Sequence, residues 1–577
     1  MLRFAPPANR IHSFGTPPMK YINGLHFNNL RGDIYGGITA AVVALPLALA
    51  FGVSSGAGPV AGLYGAIFVG LFAALFGGTP AQVSGPTGPM TVVMAVVFTQ
   101  YTAMFPDDPA HGAALAFTVV IMGGAFQILF GAMRFGQYIS MVPHPVVSGF
   151  MSGIGVIIIL LQMAPLVGLP SQGGPLASAL ALPEVLSHPV MEALVLGLIS
   201  LAIVYFLPKK IGRILPSPLV ALIVGTLVYL FVFPDGEATI LGDIPTGLPD
   251  PQLPIVTIAL LPEMLKSAIV LAVLGSIDSL LTSLVADNIT RTYHKPDREL
   301  VGQGIGNMVA GLFGGLPGAG ATMRTVVNVN AGGSTPISGA LHAIVLLGIV
   351  LGAGGLAKYI PHAVLAGILI KVGTDIIDWD YLKHLRRAPL AGVIMMFTVL
   401  GITVFVDLIT AVAVGVVMAS LIFMKRMTDL QLDGINAINC SYRENTSLSD
   451  EERKIMDDTN CRILVYELSG PMSFSSAKGM ARQLSSYSDY DVLILDLTEV
   501  PIVDFTTTRA IKDIIDESEA HGRHAFLVGS HPKTMGMLNN QGALHALVEG
   551  HVCEQRIDAF RRAADILKRK AKTAATG

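Results

Sequence analysis

The sequence predicts an α-helical polytopic membrane protein that ends in a soluble α/β domain. Its 577 residues are 52% hydrophobic and 13% charged, whereas soluble chains carry about 25% charged residues. No Lys or Arg occurs between Asp33 and Met133, a stretch about five times longer than the ~20 residues that cross a bilayer. The chain after Lys425 is rich in charge. We therefore expect a transmembrane domain over 31–427, preceded by a cytoplasmic N-terminal segment over 1–30.

Long apolar runs divide the predicted membrane domain into segments. About fourteen segments are expected, some of them shorter than the ~20 residues of a full crossing. They begin near Ile34, Val60, Met90, Ala113, Val146, Met191, Leu219, Ser267, Val301, Ala340, Ala363, Ala391 and Ile409, with a short Gly-rich run from Gly318 to Gly333.

The positive charges predict how these segments are oriented. Lys and Arg cluster after even numbers of crossings, and the loops between the clusters are acidic. The clusters are Lys20 and Arg31, Arg134, Lys209 to Arg213, Arg291 to Arg298, Lys383 to Arg387, and Lys425 with Arg426. Positively charged loops stay in the cytoplasm. Both termini are therefore expected to be cytoplasmic, in a multi-pass protein of the plasma (inner) membrane.

Two distant stretches of the sequence resemble each other. Phe76 to Pro80 and Phe313 to Pro317 both read Phe-Gly-Gly-X-Pro, and each is followed by a Gly/Pro-rich break and then by Thr-Val-Val. Chance similarity between Gly-rich membrane helices is the alternative explanation. The matched order, the matched breaks and the position in corresponding halves favour an internal repeat, which is the sequence sign of a transporter binding site.

The breaks within the repeat predict helix ends inside the membrane. Pro86 and Pro89 in the first copy, and Pro317 with its neighbouring glycines in the second, prevent a continuous helix. Non-helical backbone at that depth is tolerated only where it is buried in protein or lines a wet cavity. A new helix N-terminus presents unpaired N–H groups and about half a positive charge. Two such ends meeting at mid-membrane are predicted to bind a small inorganic anion.

Four motifs carry a resemblance to a known family. They are PVAGLYG (Pro59 to Gly65), FGGTPAQVSGPTGPMTVVM (Phe76 to Met94), ISMVPHPVVSGFMSG (Ile139 to Gly153) and GGLPGAGATMRTVVN (Gly314 to Asn328). Over nearly its whole length the chain resembles the SulP (sulfate permease) or solute carrier 26 family, and within it the sodium-dependent bicarbonate transporters. The resemblance implies fourteen segments as two inverted seven-segment repeats, arranged as core and gate bundles, with short third and tenth helices across the substrate site. It also implies a C-terminal cytoplasmic STAS domain.

The resemblance implies an anion site at the start of the two short helices. Bicarbonate is implied to bind Thr87 on the third segment, and Ala321 and Thr322 at the start of the tenth. Arg324 lies in the first turn of that half-helix. It either adds positive potential beside the anion or pairs with a nearby carboxylate such as Asp278, and both alternatives stay open.

The resemblance places sodium beside the anion. Its implied ligands are Asp278 and Thr282 of the eighth segment, with Gly320 and Thr322. The residue types agree with this, because sodium is a hard cation that prefers oxygen ligands and residues four apart lie on one helix face. Asp278 lies deep in an apolar run, where a carboxylate is costly and is a functional candidate by default. A structural ion pair is the alternative role.

The tail predicts a small α/β domain over 461–570, because short strands alternate with amphipathic helices. The predicted strands are 462–468, 492–497 and 524–529, and the predicted helices are 475–487 and 506–522. The order resembles a STAS domain, which implies a dimerisation module and hence a homodimer. Phe505 follows Asp504, where anti-sigma-factor antagonists of that fold carry a phosphorylatable serine. Residues 428–460 are expected to form a polar linker.

The leading interpretation is sodium-dependent bicarbonate symport by an elevator-like movement of one bundle against the other, as the resemblance implies. The alternatives are a proton-coupled or uncoupled transporter of sulfate or another inorganic anion, and a receptor that senses an anion and signals through the STAS domain. His342 and His362 are expected to pack rather than relay protons. No enzyme activity, no nucleic-acid partner and no cofactor are expected, and sodium is the coupling ion. The cysteines Cys440, Cys461 and Cys553 are expected to be reduced thiols.

Overall fold

The computed structural model of the protein describes residues 22–139, 143–170, 174–212, 215–234, 236–242, 250–439, 448–529 and 531–576. The chain divides into two compact units between Val416 and Val417. We call them the membrane unit and the soluble unit.

The membrane unit consists, in its described part, of helices and one pair of two-residue strands. The helices are α1 (Leu30–Ser54), α2 (Pro59–Phe76), α3 (Gly88–Met104), α4 (Pro109–Ala132), α5 (Gly136–Ile139), α6 (His144–Leu166), α7 (Pro175–Ser187), α8 (Met191–Phe206), α9 (Lys209–Gly212), α10 (Ser217–Val232), α11 (Leu261–Thr290), α12 (Pro296–Leu312), α13 (Thr322–Asn330), α14 (Pro336–Ala357), α15 (His362–Ile376), α16 (Trp379–Lys383), α17 (Leu390–Phe405) and α18 (Leu408–Asp433), which continues past the division. The strands are β1 (Ser84–Gly85) and β2 (Ala319–Gly320).

Several of these helices are long and apolar enough to cross a bilayer. Six described stretches meet that criterion singly, among them α1, α4 and α6, and α7 with α8 forms a pair bent by 114°. α10, α14 and α17 carry shorter apolar stretches. The predicted multi-pass helical membrane fold is confirmed, and the number of fourteen crossings stays a prediction.

Eight helices pack as two copies of one arrangement. The first helix of each copy packs on the fourth helix of the other copy: α1 on α14, and α11 on α4. The second helix does the same, α2 on α14 and α12 on α4. The first helix also packs on the third helix of the other copy, α1 on α13 and α11 on α3. Exchanging α1–α4 with α11–α14 therefore reproduces these three kinds of contact, which is the packing expected of the internal repeat. We call these eight helices the core set.

The remaining long helices of the membrane unit form a second group. α6 packs on α15 and α17, α15 packs on α8, and α8 packs on α10. α18 joins them, because a Cβ atom added at Gly415 would lie 2.5 Å from Val146 of α6 and 2.9 Å from Val399 of α17. We call this group the gate set.

A buried carboxylate fixes the chain that follows α13. Asp33 of α1 has no exposed surface. It accepts hydrogen bonds from the N–H groups of Ser334 and Thr335 at 2.8 and 2.9 Å, and from the Thr335 hydroxyl at 2.8 Å. These donors include the N-cap of α14, so the carboxylate also compensates the positive end of that helix.

The soluble unit contains a five-stranded sheet between two layers of helices. Its elements are β3 (Ile435–Ile438), α19 (Asp450–Asp458), β4 (Ile463–Ser469), α20 (Phe474–Leu484), β5 (Val492–Glu499), α21 (Phe505–Ala520), β6 (His524–Val528), α22 (Pro532–Asn540), β7 (Val552–Cys553) and α23 (Arg556–Thr576). The strand order is β3-β4-β5-β6-β7, with β3 antiparallel to β4 and the other pairs parallel. The three predicted strands and two predicted helices are confirmed within about two residues at each end, apart from α20, which ends three residues early.

Alternate side chains of the strands form the two cores of this unit. Tyr466 and Leu493 belong to the core that contains side chains of α20, α21 and α22. Val465 and Ile494 belong to the other core, which contains side chains of α19 and α23. Both faces of β4 and β5 are buried, so the sequence signal of each strand was a short, nearly continuous apolar run.

The predicted linker over 428–460 is wrong for most of its described length. α18 extends to Asp433, β3 pairs with β4, and α19 begins with a capping box in which Ser449 and Glu452 bond each other's backbone N–H groups. Buried Ile438 and Met456 attach β3 and α19 to the core. These few apolar residues are enough to fold the segment, although most of its residues are polar. Residues 440–447 lie outside the described residues.

The prediction of three reduced thiols is wrong for Cys461, which is disulfide-bonded. Cys553 is a buried free thiol, and Cys440 lies outside the described residues. The spacing argument addressed zinc sites and multi-disulfide frameworks, and a single disulfide formed by the fold has no such signature.

A partly buried cation ties α23 to the sheet. Arg556 donates to Glu452 of α19 at 3.0 Å, to Glu467 of β4 at 3.0 Å and to Asp496 of β5 at 3.2 Å. Glu467 and Asp496 are opposite each other in the strand register, so the guanidinium separates two carboxylates that repel. Burial alone raises the pKa of Glu452, but the hydrogen bonds from Arg556 and Ser449 outweigh burial and hold that pKa below its ordinary value.

Arg556→Met is expected to destabilise the soluble unit by about 3 kcal/mol, because two buried carboxylates and one partly buried carboxylate lose their cation. Amide hydrogen exchange of the full-length protein measures this as lost protection in β4, β5 and α23. Since the folded-state pKa of Glu452 is depressed, its stabilisation is complete above the unfolded-state pKa of about 4.3 and is lost as the pH falls through the folded-state pKa.

The matched control is Arg561→Met. Arg561 pairs with Glu451 at 2.7 Å, and both side chains are more than half exposed, so solvent screening leaves this pair with little effect on stability. Equal losses of protection in the two variants would contradict the role given to Arg556.

Candidate functional site

Two backbone breaks meet inside the membrane unit and form the candidate site. β1 and β2 pair antiparallel, with Ser84 opposite Gly320 and Gly85 opposite Ala319. α3 begins shortly after β1, and α13 begins shortly after β2. Two helices therefore start beside the same two-residue ladder, as the repeated breaks in the sequence predicted.

Both helix starts offer hydrogen-bond donors. The first N–H groups of a helix have no acceptor within it, and in α13 these are the groups of Thr322, Met323 and Arg324. Neither N-cap residue, Thr87 of α3 or Ala321 of α13, bonds them with its side chain. The Ala321 N–H itself donates to Val83 at 2.9 Å. Of the predicted pair Ala321 and Thr322, Thr322 is therefore the one whose N–H remains for a ligand.

Hydroxyl groups of α11 hold the second strand. Thr282 Oγ1 donates to the Gly320 carbonyl at 2.8 Å and lies 2.8 Å from Thr322 Oγ1. Because Thr282 uses its proton on Gly320, Thr322 donates to Thr282. A Cβ atom at position 320 would lie 2.3 Å from Gln82 Nε2 and 3.1 Å from the Thr282 Cβ, so glycine is required there. Three of the four predicted sodium ligands are thus in direct contact.

Asp278 lies one turn before Thr282 on the same face of α11. Its side chain is 5% exposed and is close enough to Thr87 and Arg324 to interact with them electrostatically. Nevertheless, Asp278 Oδ2 and Thr87 Oγ1 have no hydrogen-bond partner among the described residues. Leaving such buried polar atoms unpaired is costly, and a bound ion is one way to satisfy them.

Arg324 packs on the backbone of the first break. It is 2% exposed, its Nη2 donates to the Pro86 carbonyl, and its Nη1 has no hydrogen-bond partner in the described part of the chain. A Cβ atom at Gly85 would lie 2.7 Å from that Nη1. Direct pairing with Asp278, one of the two alternatives, is not among the described ion pairs. The role of Arg324 beside an anion stays a prediction.

The two histidines that the sequence analysis singled out lie apart in the fold. His342 of α14 has no exposed surface and packs beside Gly70 of α2, and neither of its ring nitrogens has a hydrogen-bond partner within the described ranges. His362 begins α15, and its backbone N–H donates to Thr239 at 2.9 Å. Their roles stay predictions.

Sequence reasoning missed a buried acid that supports the first break. Glu299 of α12 is 1% exposed. It accepts hydrogen bonds from the N–H groups of Gly78 and Thr79 at 2.8 and 2.9 Å, and from the side-chain amides of Gln82 and Gln303 at 2.8 Å each. Four donors fully satisfy this carboxylate, so its role is to hold the chain that leads from α2 to β1.

Two further side chains of α12 hold the strands themselves. Gln303 donates to the Ser84 hydroxyl of β1 at 2.6 Å. Asn307 donates to the Gly318 carbonyl at 3.0 Å and accepts from the Gly318 N–H at 2.7 Å, just before β2. The available sequence signal was the spacing of Glu299, Gln303 and Asn307, which recur every four residues along one face of an apolar helix.

This arrangement can hold an anion and a cation side by side. The helix starts and Arg324 supply positive potential and N–H donors, whereas Asp278, Thr282 and the Gly320 carbonyl supply oxygen ligands. Irregular backbone lined by such groups, deep in a bundle of membrane helices, is characteristic of secondary transporters.

The comparisons with known proteins agree with this class. The profile of the sulfate permease family matches residues 30–399, and the profile of the STAS domain matches residues 454–556. The chain belongs to the sulfate permease family.

Three known proteins illustrate the similarity. The bicarbonate transporter BicA of Synechocystis sp. is 46% identical over 546 residues, which cover 94% of this chain and 96% of the relative. The bicarbonate transporter BicA of Picosynechococcus sp. is 47% identical over 521 residues, covering 89% and 91%. The solved transmembrane domain of a cyanobacterium bicarbonate transporter BicA is 51% identical with a TM-score of 0.64, and the match covers 68% of this chain and all of that domain.

Asn307→Leu is expected to lower anion transport roughly tenfold or more. The change leaves the buried N–H and carbonyl of Gly318 unpaired, which costs about 1–3 kcal/mol for each group and releases β2 from its position. Initial rates of labelled bicarbonate uptake into proteoliposomes measure the effect. Gln100→Leu removes an exposed amide that donates to Glu263 at 3.1 Å and should transport normally. An Asn307→Leu protein that inserts correctly and transports at the unmodified rate would refute the role of Asn307.

Proposed function

We propose that this protein is a sodium-coupled bicarbonate transporter. The observation that carries the proposal is the meeting of two helix starts beside two buried oxygens that have no hydrogen-bond partner among the described residues, Thr87 Oγ1 and Asp278 Oδ2. The names of the two relatives that are 46% and 47% identical support bicarbonate as the anion.

Bicarbonate suits the anion half of the site. It carries one negative charge, so the partial charges of two helix starts and the nearby Arg324 compensate it. Its oxygens accept from the free N–H groups at the start of α13 and from the Thr87 hydroxyl. Its own O–H needs an acceptor, and the Thr87 hydroxyl oxygen can also serve as one. Ala321 contributes the wall of the site, because its N–H is already bonded to Val83.

Sodium suits the other half. The Asp278 carboxylate, the hydroxyls of Thr282 and Thr322, and the Gly320 carbonyl provide four oxygens on adjacent backbone segments. The hydrogen bonds that now join Thr282, Gly320 and Thr322 keep these oxygens together. Rotating the two hydroxyl protons away turns their lone pairs towards the cation.

The charges of the site couple the two ions. Asp278 and Arg324 cancel each other, and sodium and bicarbonate cancel each other as well. Binding both ions therefore leaves the net charge of the buried site unchanged, whereas binding only one ion leaves a net charge in a medium of low dielectric constant. Each ion accordingly raises the affinity for the other, as thermodynamic linkage requires.

The packing supports movement of the whole site as one body. α3, α11 and α13, which carry the ligands, belong to the core set. We propose that the core set moves past the gate set in an elevator-like step, in a plasma membrane protein whose termini are cytoplasmic and which dimerises through its STAS domain. The cytoplasmic assignment rests on the positive-inside rule.

Sulfate is the second candidate anion. The family profile that matches residues 30–399 describes sulfate permeases, and backbone N–H groups distinguish charge and size more than chemical identity. A doubly charged anion with a single sodium ion would leave the site one positive charge short of balance, which favours a proton as the additional coupling ion for that substrate.

The test of the function is uptake of labelled bicarbonate and labelled sulfate into proteoliposomes, with and without an inward sodium gradient. We expect bicarbonate uptake that rises severalfold with the gradient and sulfate uptake at the background of empty liposomes. Sulfate uptake that is indifferent to sodium, without bicarbonate uptake, would overturn the proposal in favour of the second candidate.

Asp278→Asn is expected to abolish the stimulation by sodium, because it removes the charged ligand of the cation. Size-exclusion chromatography should show an unchanged assembly. Asp375→Asn is the matched control, since Asp375 is a membrane-segment carboxylate of the gate set that pairs with Lys371. The control should keep its sodium stimulation. Retained stimulation in Asp278→Asn would move the cation to another site.

A further inference from the structure

An apolar groove runs along the outer face of α11. The cavity has a volume of about 550 Å³ and lies between α11, α6 and α18. Its walls include Leu265, Ile269 and Val273 of α11, Phe150 of α6, and Val412 of α18. Since α11 belongs to the core set and the other two helices to the gate set, the groove occupies the boundary between the sets.

The length of the groove matches one leaflet of a bilayer. Its wall on α11 extends from Pro262 to Leu274, which is about 18 Å at 1.5 Å per residue. Half of the ~30 Å hydrocarbon core is about 15 Å. An acyl chain that enters beside the start of α11 therefore reaches the inner end of the groove. A cavity of this size and apolar lining also falls in the range of small-ligand sites, about 300–1,000 Å³.

One cationic side chain lines this apolar groove. Lys266 is exposed and lines the groove one turn after its outer end. Within the described ranges it has no ion-pair partner. The carboxylate three residues earlier, Glu263, is engaged by Gln100 of α3 at 3.1 Å. A lysine at this depth extends its ammonium group to the membrane interface, where the phosphates of phospholipids lie.

We propose that this groove binds one anionic phospholipid, with an acyl chain between α11 and α18 and its phosphate on Lys266. Two features select this occupant: the groove has the length of a single leaflet, and its one charged lining residue is an unpaired cation close to the interface. The lipid fills the boundary along which the core and gate sets face each other, so the lipid composition of the bilayer sets how readily they separate.

The experiment counts the lipids that remain on the full-length protein. Protein purified from vesicles of phosphatidylglycerol and phosphatidylcholine is analysed by native mass spectrometry. We expect one phosphatidylglycerol per chain to survive mild activation in the unmodified protein and in Lys266→Arg, and to be lost in Lys266→Ala. Val412→Trp fills the groove, so this variant should retain neither phosphatidylglycerol nor phosphatidylcholine.

The control removes a lysine elsewhere in the membrane unit. Lys358 follows α14 and contacts the ring of Tyr359 at 4.8 Å, so Lys358→Ala should keep the phosphatidylglycerol. Equal retention in Lys266→Ala and the unmodified protein overturns the proposal. An equal loss of phosphatidylglycerol in Lys358→Ala also overturns the proposal, because it would show a general effect of charge. Retention of phosphatidylcholine in equal number overturns it as well, because it would show an apolar groove that does not recognise the headgroup.

Discussion

The membrane unit depends on one constraint, which is that every backbone polar group inside the hydrocarbon needs a partner. Two helices begin beside each other in the middle of the bundle only because the backbone that precedes them is fully bonded. The β1–β2 ladder supplies part of this bonding. Side chains of α12 and α11 supply the rest, through Asn307 on Gly318 and through Thr282 on Gly320. Without these partners the polar groups of the non-helical backbone would lie unpaired inside the membrane, and the two helix starts would not be held beside each other.

The same constraint separates two buried carboxylates that look alike in the sequence. Glu299 accepts four hydrogen bonds from its surroundings and has no capacity left for a ligand. Asp278 has an oxygen without any described partner, beside a threonine hydroxyl in the same condition. Glu299, which the fold has satisfied, is a structural element, whereas Asp278, which the fold has left with an unpartnered oxygen, is the proposed ligand of the cation. Arg324 completes the balance, because its charge compensates Asp278 at short range without consuming it in an ion pair.

The sequence predicted those parts of the fold that have local signals. Proline and glycine mark the two breaks at Pro86 and Pro317, long apolar runs mark the membrane helices, and short apolar runs mark β4 and β5. The residues around the breaks were predicted from a resemblance, and the structure brings Thr87, Asp278 and Thr322 together. The partners on α12 were missed, because their four-residue spacing indicates a shared helix face but not which distant segment that face contacts. The prediction of a linker was wrong because the few apolar residues that attach β3 and α19 to the core lie among many charged residues in the sequence. The backbone N–H of Ala321 donates to the Val83 carbonyl and is therefore not free for an anion, which a sequence pattern does not show.

The central claim is that an anion lies between the starts of α3 and α13 with a sodium ion beside it. The most direct measurement is a cryo-electron microscopy map of the protein in lipid nanodiscs, recorded with saturating sodium and bicarbonate and again with potassium chloride. The account predicts density for a planar anion against Thr87 and the N–H of Thr322, and for a cation between Asp278 and the Gly320 carbonyl. Both densities should be absent in potassium chloride. Anion density elsewhere in the membrane unit, or a sodium ion without a contact to Asp278, would contradict the account.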